Sequence, residues 1–477
     1  MDVISIQFVI LSFVSALVYY LLNQKYRSAF LVLVSLGFIF TINYYLVAYV
    51  LGYAALNYFI GRRIPVSKNK LLLYRTGIIL NLAQLILLRY ATFSLDPLFR
   101  LLGSSLVVSK LAEIIMPLGI SYFTLQGIGY LINIKMGWEE PENNFIDFLL
   151  YIAWFPKYLS GPIERSKHFL PQLKEKQEFE ESRISEGLRI ALFGFFKKVA
   201  IANQLAPHVA QAFTTQVSAD SISPWMMFLL LPMYLYFDFS GYTDIAIGFS
   251  RMFGINILPN FNRPFFSENM TTFWKRFHIT LGAWFMDYIF RQTVFRRRKW
   301  GIYASVYGTF VTFTLFGIWH GAGWNFMLLG LLQVVALNYE FLTRKQRYRF
   351  FSRLPQVFRV WLGRISTYLF YCVSMVFFFA PDLHGIGIFF SKMIHSTGFI
   401  SLDNISLKPF QLIIYIPLLM LIELIQNDFG KIYGRFEGFW LGEKASSKIA
   451  RWTVYTVVIL IMFVAGLKSE QFVYVNF

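Results

Sequence analysis

RPFFSENMTTFWKRFHITLGAWFMDYIF, residues 263–290, and FTLFGIWHGAGWN, residues 313–325, decide how this chain is read. Most of the surrounding sequence is apolar helix. These two stretches instead carry His278 and His320, the acids Glu268 and Asp287, and several Trp and Gly residues, with Asp244 just upstream. A charged group at bilayer depth costs several kcal/mol, so such groups persist in a lipid-embedded chain where they are paired or used.

The bilayer setting follows from composition. The 477 residues are 56% hydrophobic, 19% aromatic and only 15% charged, with a mean hydropathy of +0.52. A soluble domain carries roughly 25% charged residues. The chain is therefore expected to be an all-α integral membrane protein forming one bundle, because each span uses about 20 residues. Its net charge of +18 is read as Lys and Arg gathered in cytoplasmic loops, some of which could receive an anionic donor. Nucleic acid is not an expected partner; membrane lipid is. A single cysteine, Cys372, excludes a disulfide framework and a thiolate metal site. The first apolar run, 3–22, lacks a small-residue cleavage site and is read as a retained span.

Outward from the central stretches, apolar runs of bilayer length lie at 3–22, 30–48, 71–88 and 106–134. Gln126 and Asn133 in the last of these read as interhelical hydrogen-bonders rather than catalysts. Residues 145–160 are too short to cross comfortably and run into Pro156 and KYLSGPIER, 157–165, which suggests a re-entrant element. Residues 171–189 read as one amphipathic surface helix. Spans are expected at 191–213 and 224–249. Residues 265–290 are expected to lie partly in the membrane interface. Spans at 302–319 and 324–341 are flanked by RRRK, 296–299, and by the basic run 344–349. They should form a hairpin whose turn, with His320, lies away from the cytoplasm. Further spans are expected at 361–380, 410–425 and 452–467, giving eleven to thirteen segments. The absence of a convincing internal repeat disfavours a secondary transporter.

No P-loop, dinucleotide fingerprint, HExxH or GxSxG motif is present. Of six histidines, His168, His384 and His395 lie in or beside loops and His208 is unremarkable. Phe316, Trp319, His320 and Gly323 share a helix face, and Gly317 and Gly321 permit close approach of a second backbone. A neutral imidazole in a dry crevice can accept a proton from an attacking hydroxyl; an interhelical hydrogen-bonding histidine reads equally from the residues. Lys275, Arg276 and His278 place three potential cations within four residues, suited to clamping an oxyanion or to anchoring at an interface. Asp238 and Tyr242 share a face with Ile245, with Asp244 off it; the acids read either as buried partners of an arginine such as Arg263 or Arg276 or as groups that orient neighbouring polar groups.

MPLGISYF (116–123), SGPIER (160–165), LYFDFSGYTDIAIG (235–248), the block 262–290, IWHGAGWNF (318–326) and the terminal FVYVNF (472–477) together resemble the membrane-bound O-acyltransferase family. Within it they are similar to the membrane subunits of bacterial alginate O-acetyltransferase. The resemblance covers nearly the whole chain as one domain, with residues 262–326 as its catalytic core. It implies helices, some re-entrant or interfacial, around a central funnel or tunnel. It also implies His320 as the catalytic base and His278 as the second active-site histidine. Asp238, Tyr242, Asp244, Trp274, Lys275, Arg276, Asp287, Trp319 and Asn325 would support or position substrate, with no metal and no bound cofactor. The donor would be acetyl-CoA or an acyl-carrier protein. The acceptor would be a hydroxyl of an exported or cell-envelope polysaccharide, reached directly or through a periplasmic or extracellular partner, from a bacterial cytoplasmic membrane. The rival readings are D-alanyl transfer to teichoic acids and, from another class, a proton-coupled transporter. The chain departs from the family pattern in FWKRFHIT for FWRRWHIS, in Phe285-Met286 for Leu-Arg before Asp287-Tyr288, in 291–299 for a Gly-Gly, and in Gly323 for Asn. These departures bear on the acceptor more than on the reaction.

Overall fold

A computed structural model describes residues 1–89, 119–214, 222–396 and 407–466. The terminal 472–477 block, the start of the block at 116 and much of the apolar run 106–134 lie outside them. Among the described residues there is no strand, only one isolated antiparallel bridge between Phe261 and Phe277. Seven described helices are long and apolar enough to cross a membrane: Gln24–Ile42, Tyr44–Arg63, Lys70–Leu88, Ile302–His320, Trp324–Leu342, Gln356–Phe379 and Ala445–Ala465. The chain is an all-α, multi-pass membrane protein. Ile6–Leu21 is a shorter apolar helix, started by the Ser5 side chain accepting from the Phe8 backbone N–H.

Two further helices hold the middle together. Pro224–Met252 runs 29 residues, opening with Pro224 after the Ser223 cap. It lies against Glu181–Phe196 through two pairs of glycines. A Cβ on Gly187 would meet the Gly248 carbonyl at 2.5 Å, and one on Gly194 would meet that of Gly241 at 2.7 Å. Only hydrogen at these positions lets the two backbones touch, which gains the dispersion contact that holds helices together in lipid. The Glu181–Phe196 helix then continues as a π-helical turn, Lys197–Ala202, and as Asn203–Ala212.

That π turn corrects one expectation. Asp244 pairs with Lys197 at 2.7 Å, and Asp238 with Lys198. Neither acid pairs with Arg263 or Arg276, which bond to the Gln426 carbonyl (2.8 Å) and the Asn427 side chain (3.0 Å). The glycine contacts bring the lysines, not the arginines, to the Asp-bearing helix. The expected surface helix 171–189 is also two pieces, Ser166–Lys174 and Glu181–Phe196. The backbone between them takes tertiary bonds instead of helical ones: Gln24 donates to the Glu175 carbonyl (3.0 Å) and Arg27 to that of Gln177 (2.5 Å).

The short apolar segment forms the helix Phe145–Ala153, followed by irregular backbone that is buried through residue 160. Such backbone survives at depth where protein supplies its partners. The Phe155 N–H donates to Ser35 Oγ (3.3 Å), and Lys157 Nζ donates to the Tyr151 carbonyl (2.7 Å) and to Gln126 Oε1 (3.0 Å). Gln126 and Asn133, which accepts from Tyr288 Oη at 2.7 Å, are structural hydrogen-bonders as expected. The hairpin also forms as expected, from Ile302–His320 and Trp324–Leu342. Gly317 sits where a Cβ would strike the Phe326 carbonyl at 2.4 Å.

Candidate active site

His320 is the last residue of the Ile302–His320 helix. Its Nδ1 lies 2.8 Å from the Phe316 carbonyl one turn back. A carbonyl only accepts, so Nδ1 carries the proton and the lone pair of the neutral ring is on Nε2. The ring is 3% exposed, walled by Phe316, Trp319 and Phe378 at centroid distances of 4.3, 4.9 and 5.7 Å.

His278 precedes the short helix Ile279–Phe285 with φ 49° and ψ 52°. A left-handed backbone on a non-glycine residue is strained and persists where its surroundings over-determine it. Here the Ile279 N–H donates to the Asn260 carbonyl (2.9 Å), and Asn260 Oδ1 accepts from Thr280 Oγ1 (2.6 Å). The imidazole that this turn projects is 1% exposed, edge-on to Phe239 at 4.6 Å and 6.2 Å from Trp319. The segment 265–290, expected partly in the interface, thus buries Phe273, Phe277, His278 and Leu281 almost completely, while Lys275 is exposed.

Both histidines line one cavity with Leu235, Trp274, Tyr371 and Phe378; its volume of about 10 Å³ is room for roughly one water. A polar chain runs along its wall: Trp274 Nε1 donates to Gln333 Oε1 (3.2 Å), Gln333 Nε2 to Ser374 Oγ (2.9 Å), and Ser374 Oγ to the Phe370 carbonyl (3.0 Å). A second cavity, of about 440 Å³, lies beside the hairpin turn, lined by Gly323, Trp324, Phe326, Asp382 and His384. Phe326 lines this larger space and lies 5.9 Å from Phe378, whose ring is in turn 5.7 Å from that of His320.

Of the residues singled out from sequence, the structure gathers His278, His320, Trp274 and Trp319. Asp238 and Asp244 face the lysines, but their helix still serves the site, because Leu235 lines the cavity and Phe239 abuts His278. Tyr242 Oη reaches the Pro156 carbonyl (3.5 Å), and Asn325 donates to the carbonyls of Phe377 (3.2 Å) and Ala380 (2.9 Å). Lys275, Arg276 and Asp287 are not brought to the cavity; Asp287 pairs with Arg291 (2.8 Å) and Arg165 (3.3 Å). Gln333, Ser374 and Tyr371 went unmarked in the sequence. Gln333 alone carried a signal, a polar residue inside an apolar span. Outside the site, the Glu164 carboxylate 2.8 Å from His168 Nδ1 raises that imidazole above its ordinary pKa. Among the described residues, no cluster of three or more His, Cys, Asp or Glu could hold a metal ion.

Comparison with known proteins adds ancestry to this geometry. The model of the MBOAT, membrane-bound O-acyltransferase, family matches residues 141–380, a span that holds both histidines. The chain is 32% identical over 320 residues to the probable alginate O-acetylase AlgI of Pseudomonas aeruginosa, covering 65% of this chain and 60% of that protein. It is 33% identical over 423 residues to the peptidoglycan O-acetyltransferase of Helicobacter pylori, covering 81% and 76%. It is 30% identical over 279 residues to the teichoic acid D-alanyltransferase of Bacillus subtilis, covering 56% and 69%.

Proposed function

Because the chain belongs to the membrane-bound O-acyltransferase family, we propose that it transfers an acyl group, an acetyl, from a cytoplasmic thioester to a hydroxyl of a cell-envelope polysaccharide. The observation that carries the reading is that two histidines from separate elements share one nearly dry cavity. Nε2 of His320 takes the proton of the acceptor hydroxyl, whose oxygen attacks the thioester carbonyl. The tetrahedral intermediate collapses, the C–S bond breaks, and the thiolate recovers the proton from the imidazolium. The products are an O-acyl ester and a free thiol, so the atoms and charge balance. His278 stabilises the developing oxyanion or shares the proton. Trp274 and Trp319 fix the rings, and Asp238 and Asp244 hold the helix that carries Leu235 and Phe239.

Acetyl-CoA, or an acyl-carrier protein, fits the donor side, where basic runs flank the hairpin. The acceptor approaches through the 440 Å³ space, either as glycan or as a hydroxyl of a partner protein that relays the group. The acetyl reading is supported by the longer match to the peptidoglycan O-acetyltransferase than to the D-alanyl relative; D-alanyl transfer is the second reading. The enzyme sits as one domain of eleven to thirteen segments in a bacterial cytoplasmic membrane, with residues 262–326 as its core. Membranes containing the chain are given labelled acetyl-CoA, and the envelope glycan of cells lacking it is analysed by mass spectrometry. Loss of O-acetyl groups that returns with the wild-type chain supports the reading. An unchanged acetyl content with loss of D-alanyl esters would select the second reading, and neither loss would defeat both.

A further inference from the structure

A third cavity, of about 400 Å³, lies between Asn203–Ala212, the start of Pro224–Met252 and the helix Leu383–His395. It shares no lining residue with the histidine cavity. Its polar wall comprises His208 and Gln211 on one side and Lys392 and His395 on the other, and no carboxylate is among the described residues that line it. Its other wall is apolar, with Ile222, Met227 and Phe389. Phe389 stacks on Phe213 at 5.1 Å, which fixes the spacing of the two sides. Lys392 Nζ reaches the Gln211 carbonyl only at 3.5 Å, a weak bond for an ammonium with three donors. Partial burial lowers the Lys392 pKa, as expected for a cation drawn out of water. His395 donates Nδ1–H to the Ser391 carbonyl (2.8 Å), so Nε2 is the nitrogen a ligand would meet.

We propose that this cavity binds the phosphate headgroup of an anionic phospholipid. Lys392 supplies donors for phosphate oxygens, and His208 and His395 add N–H donors in their imidazolium forms, His395 through Nε2. The apolar wall accepts the glycerol and first acyl carbons, which a free phosphate would leave uncovered. Basic pockets between membrane helices take anionic headgroups by the same chemistry, and the volume suits a ligand of that size. Ile394, 77% exposed, places this end of the Leu383–His395 helix against its surroundings rather than inside the bundle. The other end of the same helix lines the space beside the hairpin turn, through Leu383 and His384. A bound lipid would therefore hold the helix that shapes that space.

The test uses the purified full chain in detergent, incubated with phosphatidylglycerol, phosphatidylcholine or inorganic phosphate, and read by native mass spectrometry and thermal unfolding. Wild type should retain phosphatidylglycerol at least about tenfold better than phosphatidylcholine, the scale of two cationic contacts. Lys392→Gln with His395→Gln should abolish that preference, while Lys392→Arg keeps it and shows that charge rather than folding is at issue. Equal retention of the two lipids by the wild type would overturn the assignment. So would an unaltered preference in the double variant. Stabilisation by inorganic phosphate as great as that by phosphatidylglycerol would show a soluble anion to be the occupant and end the lipid proposal.

Discussion

His278 combines a left-handed backbone with full burial, and the two properties can be separated by substitution. Asparagine adopts φ above zero more readily than most non-glycine residues, so His278→Asn keeps the turn and removes the imidazole. Turnover should fall about a hundredfold or more, the scale of acid–base and oxyanion contributions, at unchanged protein level. An Asn variant with wild-type activity would reduce His278 to a shaped turn. His320 stood out in the sequence as a titratable ring in an apolar run, whereas His278 stood out by its neighbouring cations and by the family resemblance. Lys275 and Arg276 misled because both lie in the turn that follows the short Met270–Phe273 helix, where successive side chains take separate directions. Lys275 faces outward and Arg276 turns to Asn427. Tyr371 carried no signal at all, since an aromatic among the aromatics of Gln356–Phe379 has nothing to distinguish it before the helices are packed.

The middle of the molecule depends on how the element 181–212 meets the Pro224–Met252 helix. Lys198 and Asp238 are paired with side chains only 4% and 0% exposed. Removing one partner from a buried pair leaves an uncompensated charge and costs about 3–5 kcal/mol. Lys198→Met should therefore unfold at markedly lower temperature in detergent. Lys198→Met with Asp238→Leu should recover most of the loss, because it is the lone charge that is costly. A double variant no more stable than the single one would show that the pair contributes specific bonding rather than mutual neutralisation. This pairing was out of reach of the sequence. The two acids announced that they needed partners, but the partner was chosen by Gly187, Gly194, Gly241 and Gly248, whose contacts appear only once the backbones touch. The π turn at Lys197–Ala202 hid for the same reason, because an inserted residue leaves no mark on an apolar pattern.

For the molecule as a whole, the all-α membrane class and the hairpin at residues 302–342 were readable from composition, run length and the two basic flanks. The irregular backbone after Ala153 was readable too, from its shortness and its proline. The break at 175–180 was not, because it rests on distant donors, Gln24 and Arg27. Charge asymmetry predicts that residues 298 and 347 face the cytoplasm and residue 383 the opposite side. Native Cys372 is fully buried, so a background of labelling is not expected. Arg298→Cys and Arg347→Cys should resist an impermeant thiol reagent in intact cells, and Leu383→Cys should react; the reverse pattern would invert the route proposed for donor and acceptor. The proposed transfer turns on His320, whose Nδ1 is held by the Phe316 carbonyl, leaving Nε2 for the base. The most direct measurement is acyl transfer by purified His320→Gln at matched protein level, since glutamine preserves size and hydrogen bonding but cannot take the proton. The expected result is an assembled membrane protein whose transfer rate is lower by at least about a hundredfold. A well-assembled glutamine variant that still transfers the acyl group at the wild-type rate would contradict it.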